Sequence, residues 1–296
     1  MKKIALVTPS KAYLPELLAY QTYFSSKYEV KIVNLSDDLS PYDILWFFMG
    51  TDGRGLRDDQ YIIHEYASLS KPPLSRIKNF LKKVIVSKPD LRIFLNEQVR
   101  SEMNFRDSIP SVIRDMGVSS SFTKSPVDCS YYQWDYIYVG AMDASRKLYI
   151  AIDKLLKLNP KAKIALVGEP NEKLVKRYDN YSVDFIGRVD YASIPRYLIR
   201  AKYALNYVPD VYPYNIQTST KFLEYIACGC CVITNKYKWV KEYCSNNNLN
   251  VIYLDDIDLS IRSSLTCNSK LNIRDVNFPM SWDEAIRMSR IEEFLP

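Results

Sequence analysis

Residues Tyr214 to Asn235 read YNIQTSTKFLEYIACGCCVITN. Three hydroxyl residues, Thr218, Ser219 and Thr220, stand ahead of a segment of helical period, so the spacing predicts a capped helix from about Lys221 to Cys228. Gly229 ends it, and Cys231 to Thr234 reads as a short buried strand. A hydroxyl cap, a helix, a glycine and a strand in succession make half of a βα repeat. Such a helix N-terminus, with free amides, hydroxyls and Lys221, suits a diphosphate. Glu224 lies one turn further along the same face, placed to accept hydrogen bonds from a ligand's hydroxyls. The plainer reading is a capped surface helix with an i,i+3 ion pair.

Outward from this stretch, short apolar runs alternate with helical patterns along the whole chain, which predicts parallel sheets built from βα units. Strands are expected at Ile4 to Thr8, Val30 to Leu35, Ile44 to Met49 and Arg92 to Asn96. A second set is expected at Tyr136 to Val139, Lys163 to Val167, Val183 to Ile186, Tyr203 to Tyr207, Cys231 to Thr234 and Val251 to Leu254. Between the sets, Ser119 to Gln133 is polar and aperiodic and contains Pro126, which places a domain boundary there. The expected domains are residues 1–126, residues 127–281, and a C-terminal helix, 282–296, capped by Ser281 or Asp283 and returning to the first domain.

The 296 residues have the composition of an ordinary globular protein, 47% hydrophobic and 25% charged. The net charge of +6 is too small to announce a nucleic-acid binder, but its distribution is uneven. Residues 71–92 contain seven basic side chains and one acid, Asp90, leaving 33 basic and 33 acidic residues elsewhere. No stretch approaches the ~20 apolar residues of a membrane span, and the start lacks a signal-peptide cleavage pattern. Six cysteines without a CxxC pair, and a single histidine, argue against structural zinc and for reduced thiols. Of only eight glycines, Gly140, Gly168, Gly187 and Gly229 fall at predicted strand ends, where backbone can approach a ligand and offer its amides; Gly50, Gly53 and Gly55 follow the third strand.

Four motifs occur in order: Tyr138 to Lys147 (YVGAMDASRK), Ala165 to Gly168 (ALVG), Phe185 to Val189 (FIGRV) and Ser219 to Gly229 (STKFLEYIACG). Over residues 135–240 this order resembles the donor-binding half of retaining glycosyltransferases of the family 4 type, in particular the bacterial surface-polysaccharide branch. The resemblance implies a GT-B α/β fold, two Rossmann-like parallel-sheet domains facing each other across a cleft. By the same resemblance Gly140 opens the loop facing a nucleotide-sugar donor, Arg146 holds the pyrophosphate and Lys147 backs it up. The backbone at Gly187 and Arg188 would edge the nucleobase, Ser219, Thr220 and Lys221 would meet the diphosphate, and Glu224 would hold the ribose hydroxyls. No cofactor or metal is expected, since an Asp-x-Asp motif is absent and cations with a helix N-terminus can stabilise the leaving diphosphate. The pattern departs from the family at Ile216, where a carboxylate is usual, with Gln217 beside it to hydrogen-bond sugar hydroxyls, and at Ala141, where a basic residue is usual.

The first half carries weaker signals. The only histidine lies in Ile63 to Ser68 (IHEYAS), a stretch the same branch shares in similar form, so His64 and Glu65 are candidates for contact with the acceptor hydroxyl or the transferred sugar. In Ser68 to Lys88, Leu74, Ile77, Leu81, Val84 and Ile85 fall on one helical face, flanked by basic residues. This reads either as a core helix with a solvated lysine face or as an interfacial helix on an anionic membrane surface through residues 71–92. The resulting expectation is a hexosyltransferase acting from a nucleotide sugar on a glycan or lipid-linked acceptor, without nucleic acid as a partner. It would work in the cytoplasm, peripheral to the inner face of the plasma membrane. Two alternatives remain open: a nucleotide-sugar epimerase of the same architecture, and a catalytically silent nucleotide-sugar-binding subunit.

Overall fold

A computed structural model describes residues 1–8, 14–48, 57–70, 72–123, 131–257 and 280–296. The glycine loop at Gly50, Gly53 and Gly55, together with Lys71, Cys129 and Cys267, lies outside the described residues.

The chain divides into two units, the first comprising Met1–Gly117, Ile216–Thr218 and Met280–Pro296, the second Val118–Asn215 and Ser219–Pro279. In the first unit the order is β1 (Lys3–Thr8), α1 (Pro15–Phe24), β2 (Glu29–Asn34), β3 (Ile44–Phe48), β4 (Tyr61–Tyr66), α2 (Ser75–Ile85), β5 (Leu91–Phe94), α3 (Glu97–Met103) and β6 (Ser111–Ile113). The second unit contains α4 (Ser120–Thr123), β7 (Trp134–Val139), α5 (Tyr149–Leu158), β8 (Ile164–Val167), α6 (Glu172–Arg177), β9 (Val183–Gly187), α7 (Ile194–Leu198), β10 (Ala201–Asn206), α8 (Thr220–Ala227), β11 (Val232–Thr234), α9 (Lys238–Asn246) and β12 (Ile252–Tyr253). Helix α10 (Trp282–Ser289) then belongs to the first unit. The described structure changes unit at Gly117/Val118, so α4 goes with the second unit, whereas the break expected at 126/127 falls among residues outside the description.

Both sheets are six-stranded and parallel, ordered β2-β1-β3-β4-β5-β6 and β12-β11-β10-β7-β8-β9. Numbered within its own unit, the second sheet runs 3-2-1-4-5-6, the dinucleotide-binding order, which reverses between β7 and β10. Ligands of such sheets bind outside the carboxyl ends of the strands at that reversal, so the topology alone singles out the end of β7.

Burial on both faces explains the continuous apolar strands. In the first unit Ile4, Leu6, Trp46 and Phe48 face a layer with Leu17, Tyr20 and Phe24 of α1, while Ala5, Val7, Leu45 and Phe47 face the other way with Leu39. Ile286 of α10 and Ile291 complete the first layer. A capping box starts α10: Ser281 Oγ accepts from Glu284 N and the Glu284 carboxylate accepts from Ser281 N.

Ten of the twelve strands among the described residues lie where the sequence patterns place them; β4 and β6 were not anticipated. The expectation of reduced thiols holds for Cys228, Cys230 and Cys244 but not for Cys231, which is disulfide-bonded.

Candidate functional site

The carboxyl end of β7 and the start of α8 meet in the second unit. Helix α8 buries Phe222, Leu223, Tyr225, Ile226 and Ala227, and the Tyr225 hydroxyl accepts from Val139 N at 2.8 Å, fastening the helix to the last residue of β7. That junction sets Lys221 beside Gly140, where a Cβ added to the glycine would stand 3.8 Å from Lys221 Nζ. Lys221 Nζ donates to the Tyr138 hydroxyl at 3.0 Å and lies 4.3 Å from the ring centre, a cation–π contact. The Tyr138 hydroxyl in turn donates to Ala141 O at 2.8 Å, bracing the loop after β7.

Glycine is needed at this strand end for two reasons. Gly140 and Gly168 have φ of +137° and +133°, which L side chains rarely adopt, and a Cβ on Gly168 would sit 2.3 Å from Gly140 O. The close approach lets β7 and β8 end side by side, with Gly168 N donating to Gly187 O at 2.8 Å and Gly140 N to Val167 O at 2.9 Å. These amides are engaged within the sheet, so Gly140 and Gly168 supply room and not the hydrogen-bond donors expected from the sequence.

Around this point the charges are balanced against burial. Removal from water lowers the Lys221 pKa, the Arg146 guanidinium lowers it further, and Glu224 only partly opposes them, leaving it at about 7. Burial raises Glu224 to about 7, against a 2.5 Å hydrogen bond from the Tyr191 hydroxyl and the attraction of Lys221. Arg146 is placed by a short 3-10 turn, Ala144–Arg146, whose preceding residue Asp143 accepts from Ser145 N at 3.1 Å. Its guanidinium stacks 5.0 Å from the Tyr214 ring centre and lies 3.9 Å from Asp143. A half-neutral lysine, an arginine and a helix N-terminus are thus gathered without a carboxylate paired tightly to either cation. An anion entering there meets the Arg146 guanidinium, the Lys221 amine and the first amides of α8.

The structure therefore brings together Gly140, Arg146, Lys221 and Glu224, and adds Tyr138, Tyr191 and Tyr214, which sequence reasoning missed. Only Tyr138 had a local signal, its place two residues before Gly140; the others are undistinguished among 24 tyrosines. Thr220 begins α8 and is half-buried. Lys147 is exposed, with φ of +50°, and shares with Met142, Asn171 and Arg177 the lining of a cavity of about 240 Å³ that Lys221 and Glu224 do not reach. Gly187 closes β9, and Arg188 is 80% exposed, 3.3 Å from Glu169. Ser219 occupies the N-cap position but does not cap: its buried hydroxyl donates to Asn206 Oδ1 at 2.9 Å, which corrects its assignment to the diphosphate. Gln217 belongs to the first unit, half-buried, beside the buried Ile216.

His64 and Glu65 need the larger correction. Both lie in β4 with no solvent exposure. Glu65 is ion-paired with Arg114, itself fully buried, and accepts from Trp46 Nε1 at 2.8 Å. Arg114 also donates to the Tyr20 hydroxyl at 2.7 Å. These groups hold the first unit's core together, and neither His64 nor Glu65 presents an atom to an acceptor.

Two six-stranded parallel units of these topologies make the GT-B fold, and the strand end described above is a candidate anion site in the second. The family model described as Glycosyl transferase-like matches residues 146–261. Among solved structures the chain is similar to Anabaena Alr3699/HepE in complex with UDP and glucose, with 11% identity over the whole of both chains and a TM-score of 0.71. It is similar also to sucrose-phosphate synthase from Thermosynechococcus elongatus, with 13% identity, 99% and 98% of the chains covered and a TM-score of 0.64. AviGT4, a glycosyltransferase involved in avilamycin A biosynthesis, shares 13% identity over 99% and 97% of the chains with a TM-score of 0.62. No curated protein sequence matches the chain. None of the described helices is long and apolar enough to cross a membrane.

Proposed function

We propose that this chain is a glycosyltransferase that moves a hexose from a nucleotide-sugar donor to a glycan or lipid-linked acceptor in bacterial surface-polysaccharide synthesis, with retention and without a metal. The observation that carries the reading is the meeting of Lys221, Arg146 and Glu224 at the carboxyl end of β7 and the N-terminus of α8. The Anabaena neighbour's complex with UDP and glucose supports a nucleotide-sugar donor for the same fold.

In this mechanism the donor diphosphate sits between Arg146 and Lys221, with the α8 amides adding the helix dipole. As the bond from the anomeric carbon to the phosphate oxygen breaks, negative charge grows on that oxygen, and groups already in place stabilise it. The acceptor hydroxyl attacks from the face the diphosphate leaves, its oxygen bonds to the anomeric carbon, and its proton passes to the departing phosphate. Glu224 holds the ribose. The test is UDP-glucose hydrolysis and transfer over a panel of saccharide acceptors, with Arg146→Ala and Glu224→Ala. Both variants should lose at least about a hundredfold in kcat/KM, the scale of removing one stabilising group of this kind; undiminished activity in both refutes the site.

A second reading, donor binding without turnover, draws on Ile216, whose buried apolar side chain stands where the resembled family has a carboxylate. Calorimetric donor binding with no product from any acceptor would select it. Isomerisation of the donor without an acceptor would instead select an epimerase.

A further inference from the structure

Helix α2 is turned inside out. Its buried residues are polar, Ser75 and Asn79, and Asn79 Oδ1 accepts from Ser70 N at 2.9 Å. On the same inward side Lys83 Nζ donates to Asn104 O at 3.3 Å, and Lys82 is desolvated enough to lower its pKa. The outward side carries Leu74, Ile77, Phe80, Leu81, Val84 and Ile85, with exposures from 46% to 74%. At about 100° per residue these six span an arc of about 140°, with Arg76 at one border and Lys78 at the other. Both border residues are exposed.

From this geometry we propose that α2 is an interfacial anchor, whose apolar outer face inserts into the surface of an anionic bilayer while Arg76 and Lys78 sit among the headgroups. Charge decides between occupants. Helix α2 contains four basic residues and no acid, with Arg76 and Lys78 exposed at the borders of its apolar face, so two copies facing through it would bring like charge together, whereas an anionic surface complements it. A helix with a strong apolar face and a basic border is the form that lies in a membrane interface. The inference stands apart from the donor site, which lies in the other unit.

Its test is co-sedimentation of the full-length protein with vesicles of phosphatidylcholine alone and of phosphatidylcholine with phosphatidylglycerol. Wild type should pellet with the mixed vesicles, and less as salt is raised. Arg76→Gln/Lys78→Gln should lower the partition coefficient about thirtyfold, at ~1 kcal/mol per basic residue. Ile77→Ser/Phe80→Ser/Val84→Ser should lower it about a hundredfold, with circular dichroism unchanged because the replaced side chains are exposed. Equal partitioning of wild type and variants, or no binding of wild type to mixed vesicles, overturns the proposal. So does a vesicle-free dimer that the serine variant dissociates, which would assign the face to a second copy.

Discussion

If Lys221 meets a diphosphate, binding must take up a proton. With burial and Arg146 holding its pKa at about 7, the free lysine is charged in only about one molecule in eleven at pH 8. A diphosphate at the ammonium restores the ordinary value of about 10.4, so binding at pH 8 draws about 0.9 proton from solution. Other groups contribute little there: a terminal phosphate with second pKa of about 6 is already ionised, and Glu224, at about 7, can release about 0.1 proton at most. The same linkage makes affinity fall about tenfold between pH 8 and pH 9. Titration calorimetry with UDP in two buffers of different ionisation enthalpy measures the uptake directly. Lys221→Met should abolish it and flatten the pH dependence. Wild-type uptake below about 0.3 proton at pH 8 would refute the reasoning that sets Lys221 on the phosphates.

Gly168→Ala combines a φ of +133° with a Cβ 2.3 Å from Gly140 O, so about 3 kcal/mol of destabilisation is expected in urea unfolding, with weakened UDP binding as the β7 loop shifts. In the first unit, burial raises Glu16 to about 7, Arg114 partly opposing and Glu65 adding to the shift. The unfolded chain gives up this proton near pH 4.5 and the folded chain only near 7, so about 3 kcal/mol of stability disappears as pH rises through that window. Glu16→Gln should therefore match wild type at pH 4.5 and exceed it at pH 8, whereas Arg114→Met, which strands the Glu65 carboxylate, should cost about 3–5 kcal/mol; a Glu16→Gln curve parallel to wild type would contradict the assignment.

The most legible strands are those whose burial is apolar throughout, such as Ile4 to Val7 and Ile44 to Phe48, although half-exposed β2 and β9 also carry enough β-branched residues to be read. Strand β4 escaped because His64 and Glu65 interrupt its apolar run, and the group that makes Glu65 tolerable in a core, Arg114, lies 49 residues away. Strand β6 is three residues long, too short for a period. Helix α2 had a legible period and an illegible orientation, since one amphipathic pattern serves a face turned in or out; only the burial of Ser75 and Asn79 settles it. At the candidate site the spacing of Lys221 and Glu224 was legible because a helix fixes it. Their electrostatics were not, because Tyr138, Arg146 and Tyr191 reach them through the fold. Ser219 had the right residue type and place for a cap, but the distant Asn206 claims its hydroxyl.

The first unit is assembled from stretches far apart in sequence, Met1–Gly117 and Met280–Pro296 with Ile216–Thr218 between them. Ile286 and Ile291 pack in the layer that Ile4, Leu6 and Tyr20 begin, so this core cannot close until both distant stretches have been made. The second unit, drawn from 118–279 with only a three-residue excursion, needs no such delay.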